Sequence, residues 1–393
     1  MNILHLTHSL PTSYEPYGGV FTMEQIRRMS PTCRQSIIFP APWLPFVKPE
    51  WLKRKVSDVN FEESSGVNDH EIEVFRSTFL FIPRSDFVRA FQFSKLLKKE
   101  VSRRSYDLIH AHWITPSGYA LLGLPRRLKL PTVVTVHAGD IYRNYYRITH
   151  RWIIKRVLER VDAVISVAKY FRYFFHRLGI DPSKIHYIPN GVDTTRFKPL
   201  NKYLCRRQLR IPKDKITYLY IGTLSEAKGV LLLLEAFERL LDEMDDIFLV
   251  LAGMGPLYKT IEQMFRTERF KYSAALFPAQ QHENVPTFLN AADFFVLASE
   301  SEGNPVTASE SLCCGTPVLG SRIPGIRDIV SNEKFGLLFD RKIEDLLEVM
   351  RKAGKKVWNR EKVAQKAQEE YGWTVVSSKI FNIYQNLSAR QCL

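Results

Sequence analysis

Residues 292–320, ADFFVLASESEGNPVTASESLCCGTPVLG, limit most tightly what this chain can fold into. The apolar run at 294–298 reads as a buried strand. A polar turn, a helix-length segment and a second apolar run at 317–319 follow it. Asn304 suits an N-cap and Pro305 the first helical position, while Gly315 falls where a left-handed C-terminal cap belongs and Pro317 bars continuation. The expected helix is therefore roughly 305–314. Its first free amides are those of Val306 and Thr307, and a helix N-terminus just past the carboxyl end of a parallel strand can hold a phosphate. Glu302 lies in the loop before that helix. Glu310, four residues beyond Val306, points from the same face as the amides.

Carboxylates beside a phosphate repel it unless each has another partner. Sugar hydroxyls are such a partner, since one ionised carboxylate can accept two of them from neighbouring carbons. The arrangement suits a nucleotide sugar, with Glu310 taking the ribose hydroxyls and Glu302 the hexose being transferred. Spacing alone leaves the alternative open that both are solvated helix-end charges.

With 393 residues, 45% hydrophobic and 25% charged, the chain reads as a folded globular protein of two or three domains. Its longest apolar runs, at 230–234 and 247–253, fall far short of a membrane span, and residue 2 enters a strand without a charged-then-apolar leader. Five cysteines, at 33, 205, 313, 314 and 392, form an odd, scattered set without metal-ligand spacing. Reduced thiols and a cytoplasmic location are expected. Residues 1–199 hold 30 Lys and Arg against 17 Asp and Glu, a net of +13; the rest hold 26 against 24, a net of +2. That asymmetry points to an anionic surface, nucleic acid or membrane, met by the first half only.

Strand-like and helix-like segments alternate along the chain, as a parallel sheet covered on both faces requires. Strands are expected at 2–8, 35–39, 71–76, 106–112, 132–137 and 163–167, with helices from about 22 and at 86–104, 117–124, 147–160 and 170–178. The loop before the first helix carries Gly18 and Gly19, which allow close backbone approach to a ligand or make a tight structural turn. No G-x-G-x-x-G fingerprint is present, which argues against nicotinamide or flavin binding. A polar loop is expected at 62–68. In the helix at 86–104, Phe87, Phe91, Leu96 and Leu97 fall near one face and Lys98, Lys99, Arg103 and Arg104 largely off it. His110, His112 and His137 sit toward strand ends, where such sheets bind ligands, although structural roles remain open; His5 and His8 read as structural. Turn-rich residues 188–199 mark a domain boundary, after which the alternation restarts. Lys228, just before a helix, can neutralise a diphosphate or be solvated.

Together these stretches resemble the retaining glycosyltransferases of family 4 over nearly the whole chain. The likeness is carried by the Gly18-Gly19 loop, YDLIHAH, TVVTVHAGD, DAVISVA, IPNGVDTTRFKP, GTLSEAKGV, LAGMGP, the ADFFVLASESEGNP segment with its SE and CGTPV, and the region at Trp373. It implies an α/β fold of GT-B architecture, two Rossmann-like doubly wound domains facing across a donor and acceptor cleft. The expected divisions are an acceptor-side domain at 1–190, a nucleotide-sugar domain at 191–372 and a C-terminal helix at 373–393 that crosses back to the first domain. By the same resemblance Glu302 faces the donor sugar, Glu310 the ribose, and Lys228 with the backbone of Asn304, Pro305 and Val306 the diphosphate. Gly18 and Gly19 meet that diphosphate from the other domain, and His137 is the active-site histidine beside the transferred sugar. Thr223 stands where the family usually has a phosphate-binding arginine, and Pro324 replaces the first glycine of its usual pair.

The expected reaction moves a hexosyl group from a nucleotide-diphosphate sugar to a glycan or lipid-linked glycan acceptor in cell-surface polysaccharide biosynthesis. No Asp-x-Asp motif is present, so neither a metal nor another cofactor is expected in the transfer. A nucleotide-sugar epimerase of the same fold and a non-enzymatic anionic-polymer binder are the alternatives. The first lacks a use for the basic, aromatic first half, and the second lacks a nucleic-acid reader motif. Peripheral association with an anionic membrane, on the inner face of the cell membrane, is the expectation drawn from the charge split.

Overall fold

Runs such as TVVTV and IFLVLA have no polar alternation, so both faces of those strands must be covered. The computed structural model, which describes residues 1–11, 18–29, 33–43, 72–80, 86–125, 128–142 and 145–389, contains two sheets built this way. Residues 1–190 with 376–393 form one compact unit, and 191–375 form another. The loop expected at 62–68, Cys392 and the side chain of Phe87 lie outside the described residues.

The first unit contributes β1 (Asn2–Leu6), β2 (Arg34–Trp43), β3 (Ile72–Leu80), β4 (Leu108–His112), β5 (Thr132–Val136), β6 (Ala163–Ser166) and β7 (Ile185–Tyr187). They pair in parallel in the order β3-β2-β1-β4-β5-β6-β7. The second unit contributes β8 (Ile216–Ile221), β9 (Ile247–Ala252), β10 (Ala274–Phe277), β11 (Phe294–Leu297), β12 (Val318–Ser321) and β13 (Gly336–Phe339). Their order is β10-β9-β8-β11-β12-β13, again parallel. Strand order reverses between β1 and β4 in one sheet and between β8 and β11 in the other. Ligands of doubly wound sheets bind just outside the carboxyl ends of the strands at such points.

Register sorts the side chains of the first sheet. Leu4, Leu6, Ile109, Ala111, Val134 and Val136 leave one face and pack with Leu97, Val157 and Phe175. His5 lies opposite His110, His112 opposite Thr135 and Ile3 opposite Gln35, so the other face carries a buried polar row. His112 is the last residue of β4 and His110 lies two residues inside it, and both point into that buried face.

Several local expectations are corrected. Residues 117–124 are not an α-helix; a five-residue π turn (Ile114–Gly118) and a 3-10 turn (Leu121–Gly123) replace it, because Pro116, Gly118 and Gly123 are poor helix formers. The helix at 170–178 is a 3-10 turn followed by Arg172–Arg177. In the helix Asp86–Val101, Phe91 is 61% exposed, while Ala90, Phe93 and Leu97, spaced three and four apart, face inward. The short strands β7, β10 and β13 lacked a periodic signal in the sequence.

Turn-rich residues 188–199 are anchored rather than loose. Val192 bridges Gly372, donating its amide to Tyr371 and accepting that of Trp373, and Phe197 is fully buried. Gly191 lies against the Trp373 indole, where an added Cβ would come within 2.3 Å of ring atoms. Gly191→Ala should destabilise the second unit by about 1–3 kcal/mol through overpacking. Urea unfolding measures this, and an unchanged midpoint would show that the indole has room to swing aside.

Candidate active site

In the second sheet the reversal point lies between the loops that follow β8 and β11. Glu226–Lys228 form a 3-10 turn, and Gly229, at φ +71°, starts the helix Val230–Leu241. A Cβ on Gly229 would sit 2.1 Å from the Ala298 carbonyl oxygen, so the absent side chain lets this turn press against the end of β11. The Glu300 amide donates to the Ala227 carbonyl at 2.9 Å and fastens the two loops. Lys228 Nζ is thereby held 2.7 Å from Glu302 Oε1, and Ser299 Oγ donates to the same oxygen at 2.7 Å. Lys228 is thus a partner of Glu302 in this structure rather than a solvated surface charge.

The helix Val306–Cys313 begins one residue later than the sequence suggested. Pro305 occupies the N-cap position with ψ 100°, and the first turn closes through the Ala308 amide to its carbonyl at 3.0 Å. Asn304 therefore lies outside the cap, because extended Pro305 is the last non-helical residue. Gly315 takes the left-handed conformation at φ +78°. Glu310 is 4% exposed, and its Oε1 is 2.7 Å from His282 Nε2. Burial pulls the His282 pKa down, but the hydrogen bond and charge of Glu310 outweigh it, so His282 lies above the usual histidine value. His282 went unread in the sequence. Its one signal is its place between β10 and the helix Val285–Ala291, at the carboxyl edge of the sheet.

Thr223 is exposed, and its carbonyl accepts from Tyr220 Oη at 2.7 Å. A second cation reaches the same loops from beyond β13: Arg341 Nε donates to the Ala298 carbonyl at 2.9 Å, with a nitrogen 3.3 Å from Glu300. A Cβ on Gly325 would lie 2.2 Å from the Glu302 carbonyl oxygen, so this second glycine of the family pair is fixed by packing. Pro324 occupies the first turn of the helix Pro324–Ile329, where a missing amide hydrogen costs nothing.

In the first sheet the reversal point lies between β1 and β4. Gly19, at φ +61°, leaves 2.2 Å between a would-be Cβ and the Ser9 carbonyl oxygen, and its own carbonyl accepts the Thr22 and Met23 amides. This makes Gly19 a required tight turn; Gly18 stands beside it. Trp113 follows β4 at φ +67°, a conformation unusual for a bulky residue. The ring of His137, just past β5, lies 4.8 Å from that of Trp113 and 4.9 Å from that of Phe21. Asp140 braces the edge by accepting from the amides of His137 at 3.0 Å and Ile114 at 2.9 Å. His137 Nε2 is buried without a hydrogen-bond partner among the described residues. Burial, reinforced by His8, pushes the His137 pKa down to about 3, so the ring is neutral near pH 7.

With two Rossmann-like units and matches to two glycosyltransferase family models, this chain is a glycosyltransferase of the GT-B fold. It belongs to the glycosyltransferases described as Glycosyl transferases group 1, matched over residues 202–370, and Glycosyltransferase Family 4, matched over 56–196. The Bacillus subtilis protein TuaC, named for a teichuronic acid biosynthesis glycosyltransferase, is 28% identical over 92% of this chain and 91% of its own. An Escherichia coli UDP-Gal:alpha-D-GlcNAc-diphosphoundecaprenol alpha-1,3-galactosyltransferase is 28% identical over 74% and 78%. HepE of Anabaena, solved with UDP and glucose, shares the fold with a TM-score of 0.69 over 98% of this chain and 100% of its own, at 16% identity.

The buried neutral ring gives an acid-stability prediction. His137 takes up its proton near pH 6.5 in the unfolded chain but only near pH 3 in the folded one, so between these values the unfolded chain binds more protons. The associated stability is complete above pH 6.5 and falls by about 1.4 kcal/mol for each pH unit below it. Urea unfolding at pH 7 and pH 5 should show a smaller acid loss in His137→Gln than in the parent, and equal losses would remove His137 as the cause.

Proposed function

We propose that this chain transfers a hexosyl group, with retention of configuration, from a nucleotide-diphosphate sugar to a glycan or lipid-linked glycan acceptor in cell-surface polysaccharide biosynthesis. The supporting observation is the grouping of Lys228, Glu302 and Ser299 at the reversal point of the second sheet, with Glu310 and His282 on its loops. When a diphosphate arrives, Lys228 exchanges the Glu302 carboxylate for the phosphate oxygens, which also meet the amides of Val306 and Thr307. Glu302, still bonded to Ser299, is then free to accept a hexose hydroxyl. Glu310 accepts the ribose diol while His282 holds its other oxygen. Arg341, already on the Ala298 carbonyl, supplies positive charge that Thr223 does not. Within the first unit, His137, neutral and with Nε2 unpartnered, and the backbone at Gly18 and Gly19 are the proposed sugar- and phosphate-binding groups. Acceptor attack on the face the nucleotide leaves, with the departing phosphate helping to remove the acceptor proton, retains configuration without a metal. The names of the TuaC and Escherichia coli relatives support a cell-surface glycan and a diphospholipid-borne acceptor.

Incubation with UDP-, GDP- and ADP-sugars should give nucleoside diphosphate release only when a glycan acceptor is added; interconversion of the sugars instead would identify an epimerase. Glu302→Gln should lower kcat by about one to two powers of ten, the worth of a charge-assisted hydrogen bond, with little change in donor KM. Glu310→Gln should raise donor KM instead. A Glu302 variant altered only in KM would exclude the role given to it.

We further propose that the first unit lies on an anionic membrane, which fits a cytoplasmic enzyme on the inner face. Tyr146, Ile148, Trp152 and Tyr173 are all more than half exposed. Ring contacts run from Tyr146 through Tyr145 and Phe174 to Tyr173, so the patch joins the helices Ile148–Arg160 and Arg172–Arg177. Arg156 lies over Trp152, and Arg177 over Tyr173. Basic groups with headgroup-level aromatics are what such a surface requires. The patch lies largely in the second of two basic, aromatic stretches, 86–104 and 147–178; in the first, Arg104 is paired with Glu73 and Glu100 and lies over the Phe75 ring. Among the described residues no helix is long and apolar enough to span a membrane. Co-sedimentation at low salt should favour anionic over neutral vesicles, and Arg151→Ser with Arg156→Ser should weaken it about tenfold or more, at roughly 1 kcal/mol per charge. Equal recovery on both vesicle types would exclude the surface.

A further inference from the structure

The polar row on the first sheet holds three histidines that the proposed transfer does not use. His5, His110 and His112 are fully buried, and one donor nitrogen of each lies within 4.8 Å of the others. Topology brings them together: His5 and His110 are register partners on β1 and β4, and His112 follows His110 by two residues, so all three rings leave one face.

Their hydrogen bonds fix where the protons sit. Gln35 Nε2 donates to the Ile26 carbonyl at 2.7 Å, so the atom facing His5 Nε2 at 2.9 Å is the acceptor Oε1. His5 must carry its proton on Nε2, and its Nδ1 is a lone pair. His112 Nε2, 3.1 Å away, donates to that lone pair, which leaves His112 Nδ1 bare, buried and without a partner among the described residues. His110 spans Thr135 Oγ1 at 2.7 Å and Tyr384 Oη at 2.5 Å. Burial holds all three pKa values low, His5 at about 4, and so keeps the rings in the neutral form that binds metals.

We propose that His5, His110 and His112 form a structural site for a divalent transition metal of the zinc class, separate from the glycosyl-transfer reaction. The ligands are His5 Nδ1, His112 Nε2 and one ring nitrogen of His110. The 3.1 Å between the first two is close to the edge, roughly 3.3 Å, of a tetrahedron built on metal–nitrogen bonds of about 2.0–2.1 Å, while His110, stacked on His112 with ring centroids 4.2 Å apart and its ligand nitrogen within 4.8 Å of the others, turns toward them to complete the set. On binding, the proton on His112 Nε2 moves to its bare Nδ1, so the ion replaces a hydrogen bond and no net proton is released. His5 keeps its Nε2–H on Gln35, which the Ile26 carbonyl already orients, the kind of outer partner that aligns metal-bound imidazoles. His110 gives up one of its two partners to the metal and keeps the other.

The full-length chain, purified without a histidine tag, would be loaded with zinc, dialysed against metal-free buffer and analysed for metal content. The expected result is one equivalent retained, and a cobalt-loaded sample should show the visible absorption of four-coordinate cobalt. His5→Gln with His112→Gln should abolish retention, and Gln35→Leu should weaken affinity about tenfold or more, as loss of an outer partner does. Zinc-edge X-ray absorption on the parent chain should count three imidazoles. No metal on the parent, full retention by the double variant, or a thiolate-rich coordination shell would each overturn the site. If the double variant does not fold by circular dichroism, the parent's X-ray absorption and Gln35→Leu decide the same question.

Discussion

The contact on which the carboxyl edge of the second sheet depends is the close approach of Gly229 to the Ala298 carbonyl, a distance no side chain tolerates. It draws the turn after β8 onto the loop after β11, and the ion pair of Lys228 with Glu302 follows from that approach. Neither charge is stable there alone: a part-buried carboxylate needs donors, and Ser299 and Lys228 supply them. The edge is therefore held in shape by the same charges that are proposed to hold the diphosphate, which on that reading replaces one anion near Lys228 with another rather than meeting an unpaired cation.

The two sheets repeat one topology with different furnishings. At its reversal point the second sheet has charges: Lys228, Glu302 and Arg341. The first has rings: Phe21, Trp113 and a histidine held neutral by burial. On the proposed reading the former set meets the diphosphate, and the latter meets a sugar ring with apolar faces and hydroxyl edges.

How much of this was legible in the sequence depended on whether the signal was local. The strand, turn and helix at 292–320 were readable to within a residue or two because capping and periodicity are short-range effects, and Gly315 took the left-handed conformation its position implied. Asn304 was misassigned as the cap because either it or Pro305 could end the extended segment, and only the backbone angle distinguishes them. Phe91 was placed inward because aromatic residues crowd that helix and the spacing admits two faces; the buried one is set by Phe93 and Leu97. His282 could not have been linked to Glu310, since that contact joins residues 28 apart through tertiary packing. The polar row of His5, His110 and His112 was likewise hidden, because strand register appears in no single segment.

Trp113 holds its backbone in the left-handed region, where a bulky residue costs on the order of 1–3 kcal/mol and glycine almost nothing. The substitution that would most simply relieve the fold is thus also the one that would strip the indole from beside His137 and His8. Thermostability and the shape of the carboxyl edge are set against each other at this one residue. A library of this chain sorted only for heat resistance would be drawn toward losing the ring that packs on His137.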